Sequence, residues 1–497
     1  MGVFLCDTMV LVLGFSTFIM INHVYIGYAF PLDRDFQTRK LQEFKSSYFF
    51  RREHVSLASS SSSPSPSPSP SPSSPLLNQA TVGSGVFPVI AYGADPTGKN
   101  DSTDAILSAI SDAVSGDGVG FLMHGIANLG GVHISLEGGI YKISRPIKFP
   151  VAGRGNILIS GGTLKASDNF STEGYMIDLS SPSSSPNSQY NYEYVTLRDL
   201  MLDCNFKGGG IRTINNLRIS IDNCYITHFT TTGILVQSGH ETYIRNCFLG
   251  QHITAGGDPG ERNFTGTAID LQGNDNAVTD VVIFSAEVGI SISGQANMIT
   301  GVHCYNKAYG FGGTGIYLKV PGITQTRIVN SYFDYTGIVA EDPVQFHVSD
   351  CFFLGDAFIV LKSIRGVVDG INIVNNMFSG SNKGIDIVQL DQTNREFTDI
   401  GHVVVDKNNV KGMSLKATIA KGVAQVNGTS WTIDFNKILV FPRRIKFVQH
   451  TLMADAIGLF PNTVLRNISD NQVLIQSDAI VQGTASVTVD QGLWMSS

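Results

Sequence analysis

Two short phrases recur along the middle of this chain, and their spacing limits the fold more than any other feature. One is apolar and ends in cysteine: "LMLDC" at Cys204, "ISIDNC" at Cys224, "TYIRNC" at Cys247, "TGVHC" at Cys304 and "HVSDC" at Cys351. The other reads Gly-Ile-x-apolar: "GILV" at 233, "AIDL" at 268, "GISI" at 289, "GIYL" at 315, "AFIV" at 357 and "GIDI" at 384. Several intervals fall in the twenties, and the longer ones take in segments such as "GQHITAGGDPGERNFTG" and "DYTGIVAEDP", read here as loops. A repeat of that length built from two or three short strands cannot bury its apolar positions alone, so it stacks as a β-solenoid. Alternation within each phrase points Ile269 and Leu271 inward and Asp270 outward, in line with Ser291 and Tyr317 of later coils.

The composition agrees. Of 497 residues, 42% are hydrophobic and 15% charged, enough for a large core, and 52 glycines with many short Val, Ile, Thr and Phe bursts favour turns and strands. A net charge of -7 argues against a nucleic-acid partner, and any polyanion must be held by local basic groups.

The chain divides into four segments: residues 1–29, 30–85, 86–394 and 395–497. The first contains an uncharged run from Thr8 to Phe30 ending in "GYAF", which reads as a signal peptide cut after Ala29. An uncut membrane anchor is the other reading of so long a run; with cleavage, no stable membrane association is expected. The second holds "SSSSSPSPSPSPSPSSP", an extended solvated linker that resembles the Ser-Pro glycomodules of plant wall glycoproteins. Five N-x-[ST] sequons, at Asn100, Asn169, Asn263, Asn427 and Asn467, fit a secreted, extracellular glycoprotein. The fourth segment alternates like antiparallel strands and forms a small β-rich unit that caps the solenoid or binds sugar. Trp431 and Trp494, the two tryptophans, belong to its core or to a stacking platform.

At the start of the third segment, Ile106, Ile110 and Val114 repeat at helical spacing behind Asp101 and Ser102, so residues 103 to 114 form a capped helix. The surrounding "YGADPTGKNDSTDAI" resembles the leading motif of the pectin-lyase-like superfamily, in which a helix plugs a right-handed single-stranded parallel β-helix. The expected fold is therefore all-β, with that helix at one end. The five cysteines after Cys6 stack inward, as a buried thiol ladder or with one bridge, Cys204 to Cys224 or Cys224 to Cys247. No CxxC or HxxxH spacing suggests a metal.

Aligning the coils one residue before the inward position gives Asp203, Asn223, Asn246, Asp280, His303, Asn330, Asp350 and Asn375 or Asn376. A turn ladder of this kind has a structural explanation at every step. The function-bearing alternative is that Asp280 and His303 lie side by side in consecutive coils. Around them crowd Asp258, Glu261, Arg262, Asp270, Asp275, Tyr305, Lys307 and Lys319. Clustered carboxylates on a solenoid face suit glycoside hydrolysis, one as acid and one as base. The candidate catalytic set is Asp270, Asp275, Asp280 and His303, the histidine orienting the carboxylates. Arg262, Tyr305, Lys307 and Lys319 are the candidate substrate-binding residues, the basic ones pairing with uronic acid carboxylates.

From residue 86 to about 495, including "GERNFTGTAIDLQGNDNAVTD" and "GQANMITGVHCYNKA", the chain resembles plant quartet-type polygalacturonases, a branch of the family 28-like glycoside hydrolases linked to pollen-tetrad separation. The resemblance implies hydrolysis of the α-1,4-galacturonan of pectin in the plant cell wall, with inversion and no metal; a monomer without a cofactor is expected. The N-T-D, D-D and G-H-G motifs of the broader class are absent, and "RIK" at Arg444 to Lys446 lies far out in the tail, so no catalytic residue carries over by motif. A lyase of the same fold and a non-catalytic wall-binding solenoid remain as other classes. If the chain is exported as read, N-terminal sequencing of the protein from plant cells will start near Phe30, and endoglycosidase treatment will increase its gel mobility; recovery of Met1 on an unglycosylated chain contradicts both.

Overall fold

The computed structural model describes residues 85–181, 189–252, 265–305, 312–319, 322–455, 458 and 460–492. The proposed signal and almost all of the linker lie outside the described residues, as do Asp258, Glu261, Arg262, Asn263, Lys307 and Trp494.

The leading motif folds on its own polar groups. The Asp95 carboxylate accepts the amides of Thr97 (2.9 Å) and Asn100 (2.7 Å), and Asp101 accepts the amide of Thr103 at 3.0 Å, launching the helix Thr103–Val114. Ile106, Ile110 and Val114 are buried against the first coils, as their spacing requires.

Behind this cap each coil contributes three short strands to three parallel ladders. In the coil of Asp270 they are Thr267–Leu271, Ala277–Thr279 and Val282–Phe284. The ladder of Thr267–Leu271, called here the front ladder, has ten strands in unbroken parallel register. Its inward column, Ile211, Ile234, Ile269, Ile290, Ile316, Ile338 and Ile359, is wholly buried. Each such isoleucine contributes about 1.5–3 kcal/mol, available only once the neighbouring coil is in place. The side ladder of Ala277–Thr279 and the back ladder of Val282–Phe284 continue this core, with Phe333, Phe353 and Phe378 stacked at 4.9 and 4.4 Å.

Single residues in the left-handed region make two corners of the coil. Between front and side ladders stand Arg218 (φ 52°), Glu241 (55°), Asp275 (57°) and Ala296 (56°). Between side and back ladders stand Asn223, Asn246, Asp280, Gly301, Asn330, Asp350, Asn375 and Lys407, all at φ between 51° and 64°. Asn, Asp and Gly dominate this second column because they tolerate the conformation best. It corrects the alignment read from sequence at two steps. The residue in line with Asp280 is Gly301, whereas His303 lies two residues on, paired with Val282 and Tyr332 in the back ladder. Asp203 likewise belongs to the back ladder, paired with Thr227.

The same register sorts the cysteines. All five are buried free thiols, and Cys224 and Cys247 fall in adjacent coils just before the paired residues Tyr225 and Phe248. Cys304 is instead paired with Ile283 and Phe333, outside their column. Burial pushes the Cys351 thiol up to about 12.

Three phrases also change place. "DYTGIVAEDP" is no loop: Ile338–Glu341 is a front-ladder strand. "AFIV" is offset by one residue, because Ile359 pairs with Ile338, and "GIDI" precedes its strand, Val388–Asp391. Parallel coils run on through Asp399–Asp406 and Asn409–Lys411, past the boundary expected at residue 394. Beyond them Ile419–Asp434, Phe447–Ala454, Thr463–Ser469 and Gln472–Asp490 form an antiparallel sheet. Trp431 is the buried centre of this sheet's own core, its indole donating to the Gly483 carbonyl at 3.1 Å. Arg444 of "RIK" donates to the Ile400 carbonyl and so ties this unit to a late coil.

Polar residues replace apolar ones inside the last coils. The buried Asn376 amide donates to Val348 O (3.1 Å) and Asn408 Oδ1 (3.0 Å), and its carbonyl accepts the Cys351 amide at 3.0 Å. Asn376→Ala strands those groups and should cost about 3 kcal/mol in urea unfolding, whereas Asn375→Gly at the adjacent left-handed corner should change stability by less than about 1 kcal/mol.

Candidate active site

The register separates the four residues expected to act together. Asp270 lies on the outer face of the front ladder, in line with Ser291 and Tyr317 as alternation requires. Asp275 and Asp280 occupy the corners at either end of the side-ladder strand Ala277–Thr279. His303 lies on the back ladder. Convergence fails because one coil carries its chain around three sides, so residues close in sequence point in different directions.

His303 and Tyr305 form a second, back-ladder group. His303 Nε2 is 2.9 Å from Asp334 Oδ2, and its ring is 5.1 and 5.4 Å from those of Tyr305 and Tyr332. Asp275 has its own partner, His240 Nδ1 at 3.0 Å.

The front ladder gathers a richer set. At its early end Asp178 is fully buried, which alone would raise its carboxyl pKa. Arg212 (Nε 3.0 Å, Nη2 2.5 Å), the Ser180 amide at 3.0 Å and Lys148 at 3.0 Å outweigh that burial and hold it at about 2. Two cations around one carboxylate leave a net positive charge at the surface, with the Arg212 guanidinium 5.1 Å above the Tyr175 ring. Burial raises the Tyr175 hydroxyl, and the Asp270 charge adds to that shift, so phenol and carboxylate share one environment. Asp270 Oδ2 accepts from Gln272 Nε2 at 2.8 Å.

Further along the same face, the Tyr317 hydroxyl donates to Glu341, and Lys362 Nζ lies 3.2 Å from that hydroxyl and 3.1 Å from Glu341 Oε1. Lys319 Nζ sits 4.5 Å from the Tyr317 ring centroid. Burial and the Glu341 bond raise the Tyr317 hydroxyl against the opposing pull of Lys362. Two ammonium groups thus meet Tyr317, Lys319 at its ring and Lys362 at its hydroxyl, and Lys362 alone pairs with Glu341. Sequence reading placed Asp270 and Tyr317 on this face and named Lys319, but missed Arg212, Glu341 and Lys362, whose signal is their shared place in front-ladder strands.

It also missed Glu287. This exposed residue stands at the start of the next front-ladder strand, Val288–Ile292. Its amide donates to Gly266 O at 3.0 Å and its carbonyl accepts from the Thr314 amide at 2.8 Å, which pins its backbone between the coils of Asp270 and Tyr317. Glu287 thus lies one coil on from Asp270, just before its front-ladder strand.

Comparison with known proteins gives this arrangement a family. Residues 86–338 match the model of the rhamnogalacturonase A/epimerase, pectate lyase-like family. Over 420 residues the chain is 63% identical to polygalacturonase QRT3 of Arabidopsis thaliana, covering 84% of this chain and 87% of that protein. Among solved structures, Geobacillus virus E2 ORF18 aligns with a TM-score of 0.48 and 12% identity, covering 83% of this chain and 79% of that one. The endo-xylogalacturonan hydrolase of Aspergillus tubingensis aligns at 0.43 and 14%, covering 67% and 95%. On the family match and the relative at 63% identity, the chain belongs to the rhamnogalacturonase A/epimerase family of pectate lyase-like proteins.

Proposed function

We propose that this protein is a polygalacturonase, a glycoside hydrolase acting on the α-1,4-galacturonan of pectin in the plant cell wall, as a secreted monomer with a role in pollen development. The observation that carries the reading is 63% identity, over most of both chains, to a relative named for that activity. Exposure of the sequon residues Asn100, Asn169, Asn427 and Asn467 supports export.

The front ladder is the proposed site, with Asp270 and Glu287 as the carboxylate pair. Their coils are about 4.8 Å apart along the axis. Glu287 is also displaced along the strand, since it is Ser291 that stands in register with Asp270. Four residues along the strand and one coil across put the two backbones about 14 Å apart, so the long Glu287 side chain must lean back toward Asp270 to bring the carboxyl groups within the roughly 6.5–9.5 Å of an inverting pair. Asp270, with the Gln272 amide donating to it, takes the water's proton. Glu287, at the exposed edge, protonates the departing oxygen. Arg212, Lys319 and Lys362 meet the carboxylates of neighbouring uronic acid units. Asp275, Asp280 and His303 keep the corners and the back ladder in place.

Asp270→Asn and Glu287→Gln should each lower the release of reducing ends from de-esterified homogalacturonan by about a hundredfold or more, with polymer binding retained and no new ultraviolet chromophore in the product. Asp280→Asn, at a corner where Asn serves as well, should stay within a few-fold of the parent. Near-parental turnover in both front-ladder variants overturns the assignment.

A further inference from the structure

The geometry points to an accessory binding site for a uronic acid unit at the late end of the solenoid, in a recess between the last coil and the strand Ile419–Asp434. The recess encloses about 320 Å³, the small end of the range for ligand pockets and suited to one sugar ring. Leu415, Ile419 and Ile438 give it an apolar wall, and Lys407, Lys416, Lys421 and Asp406 are the charged residues that line it.

The three lysines are placed differently. Lys416 is fixed, its Nζ 3.2 Å from the Lys437 carbonyl and 3.5 Å from Asp386. Lys407 and Lys421 are exposed, and neither is in an ion pair among the described residues. Lys407 is also an outlier in its column. Each earlier member from Asn223 to Asn375 is Asn, Asp or Gly, while Lys407 adopts the same conformation at φ 56° without their advantages. Its backbone is held there by Asn408, whose side chain accepts from Asn376 and donates to Ile373 O at 3.0 Å. A strained lysine beside two others, on a chain of net charge -7, is a local exception to an unfavourable field.

An apolar wall with an ammonium rim matches a carboxylated pyranose, whose ring face is apolar and whose edge is anionic. The recess lies five coils beyond Asp270, about 24 Å along the axis, and Lys407 sets it by the corner between side and back ladders, so it would hold a stretch of polymer other than the one lying along the front ladder. The choice of uronic acid rests on the proposed pectic substrate.

The test is affinity electrophoresis of the intact protein in gels containing de-esterified polygalacturonate or fully methyl-esterified pectin. The variant is Lys407→Asn with Lys421→Gln, the first change suiting the left-handed corner so that the fold is kept. Retardation by polygalacturonate should weaken on the order of fivefold and depend less steeply on salt, while retardation by esterified pectin and turnover of a trigalacturonate stay at the parental level. Unchanged retardation by polygalacturonate, or an equal loss in both gels, overturns the site. Asp270→Asn, run alongside, should retain full retardation, so failure of the catalytic assignment and failure of this one give different results.

Discussion

Parallel hydrogen bonding between successive coils is the constraint on which everything else in this structure depends. A strand of three residues such as Ala277–Thr279 has no stability of its own. It exists because Tyr243–Arg245 and Met298–Thr300 flank it in register. That register stacks isoleucine on isoleucine inside and decides which residues reach solvent together. Because side chains alternate, a slip of one residue would bury Asp270 and expose Ile269. The left-handed corners keep the step from side ladder to back ladder the same in successive coils, and so hold the register from Asn223 to Lys407.

The second organising feature is how charge is held on the front ladder. On a chain with a surplus of acidic groups, basic side chains reach an anionic polymer only if they are gathered and oriented. Asp178 does this for Lys148 and Arg212, and Glu341 does it for Lys362 beside Tyr317. In each cluster the carboxylate is more buried than, or about as buried as, the cations it holds, so the cationic groups remain available at the surface. Breaking the first cluster at Arg212 would leave Asp178 buried with reduced compensation, a costly state. The clusters therefore serve the stability of the ladder as well as the potential over Asp270 and Glu287.

Much of the fold is legible in the sequence because burial in a solenoid repeats. The helix 103–114, the inward isoleucines and the line from Asp270 through Ser291 to Tyr317 all follow from periodicity. What is not legible depends on register across loops and bulges, which no single coil reveals. His303 looks like a successor to Asp280 because both precede an apolar residue, yet Gly301 takes the corner and moves the histidine onto another face. Gly337 begins a proper coil phrase hidden inside an apparent loop. Glu287 carries no local signal at all: its interest comes from lying one coil from Asp270, a relation in space that its sequence neighbours do not announce.

The central claim is that the outer face of the front ladder receives the polysaccharide. The most direct measurement is a crystal structure of the Asp270→Asn protein with a de-esterified oligogalacturonate. The account predicts sugar density along the solenoid axis between Arg212 and Lys362, with a glycosidic oxygen near Glu287. Density running instead over His303, Tyr305 and Tyr332 on the back ladder would contradict it.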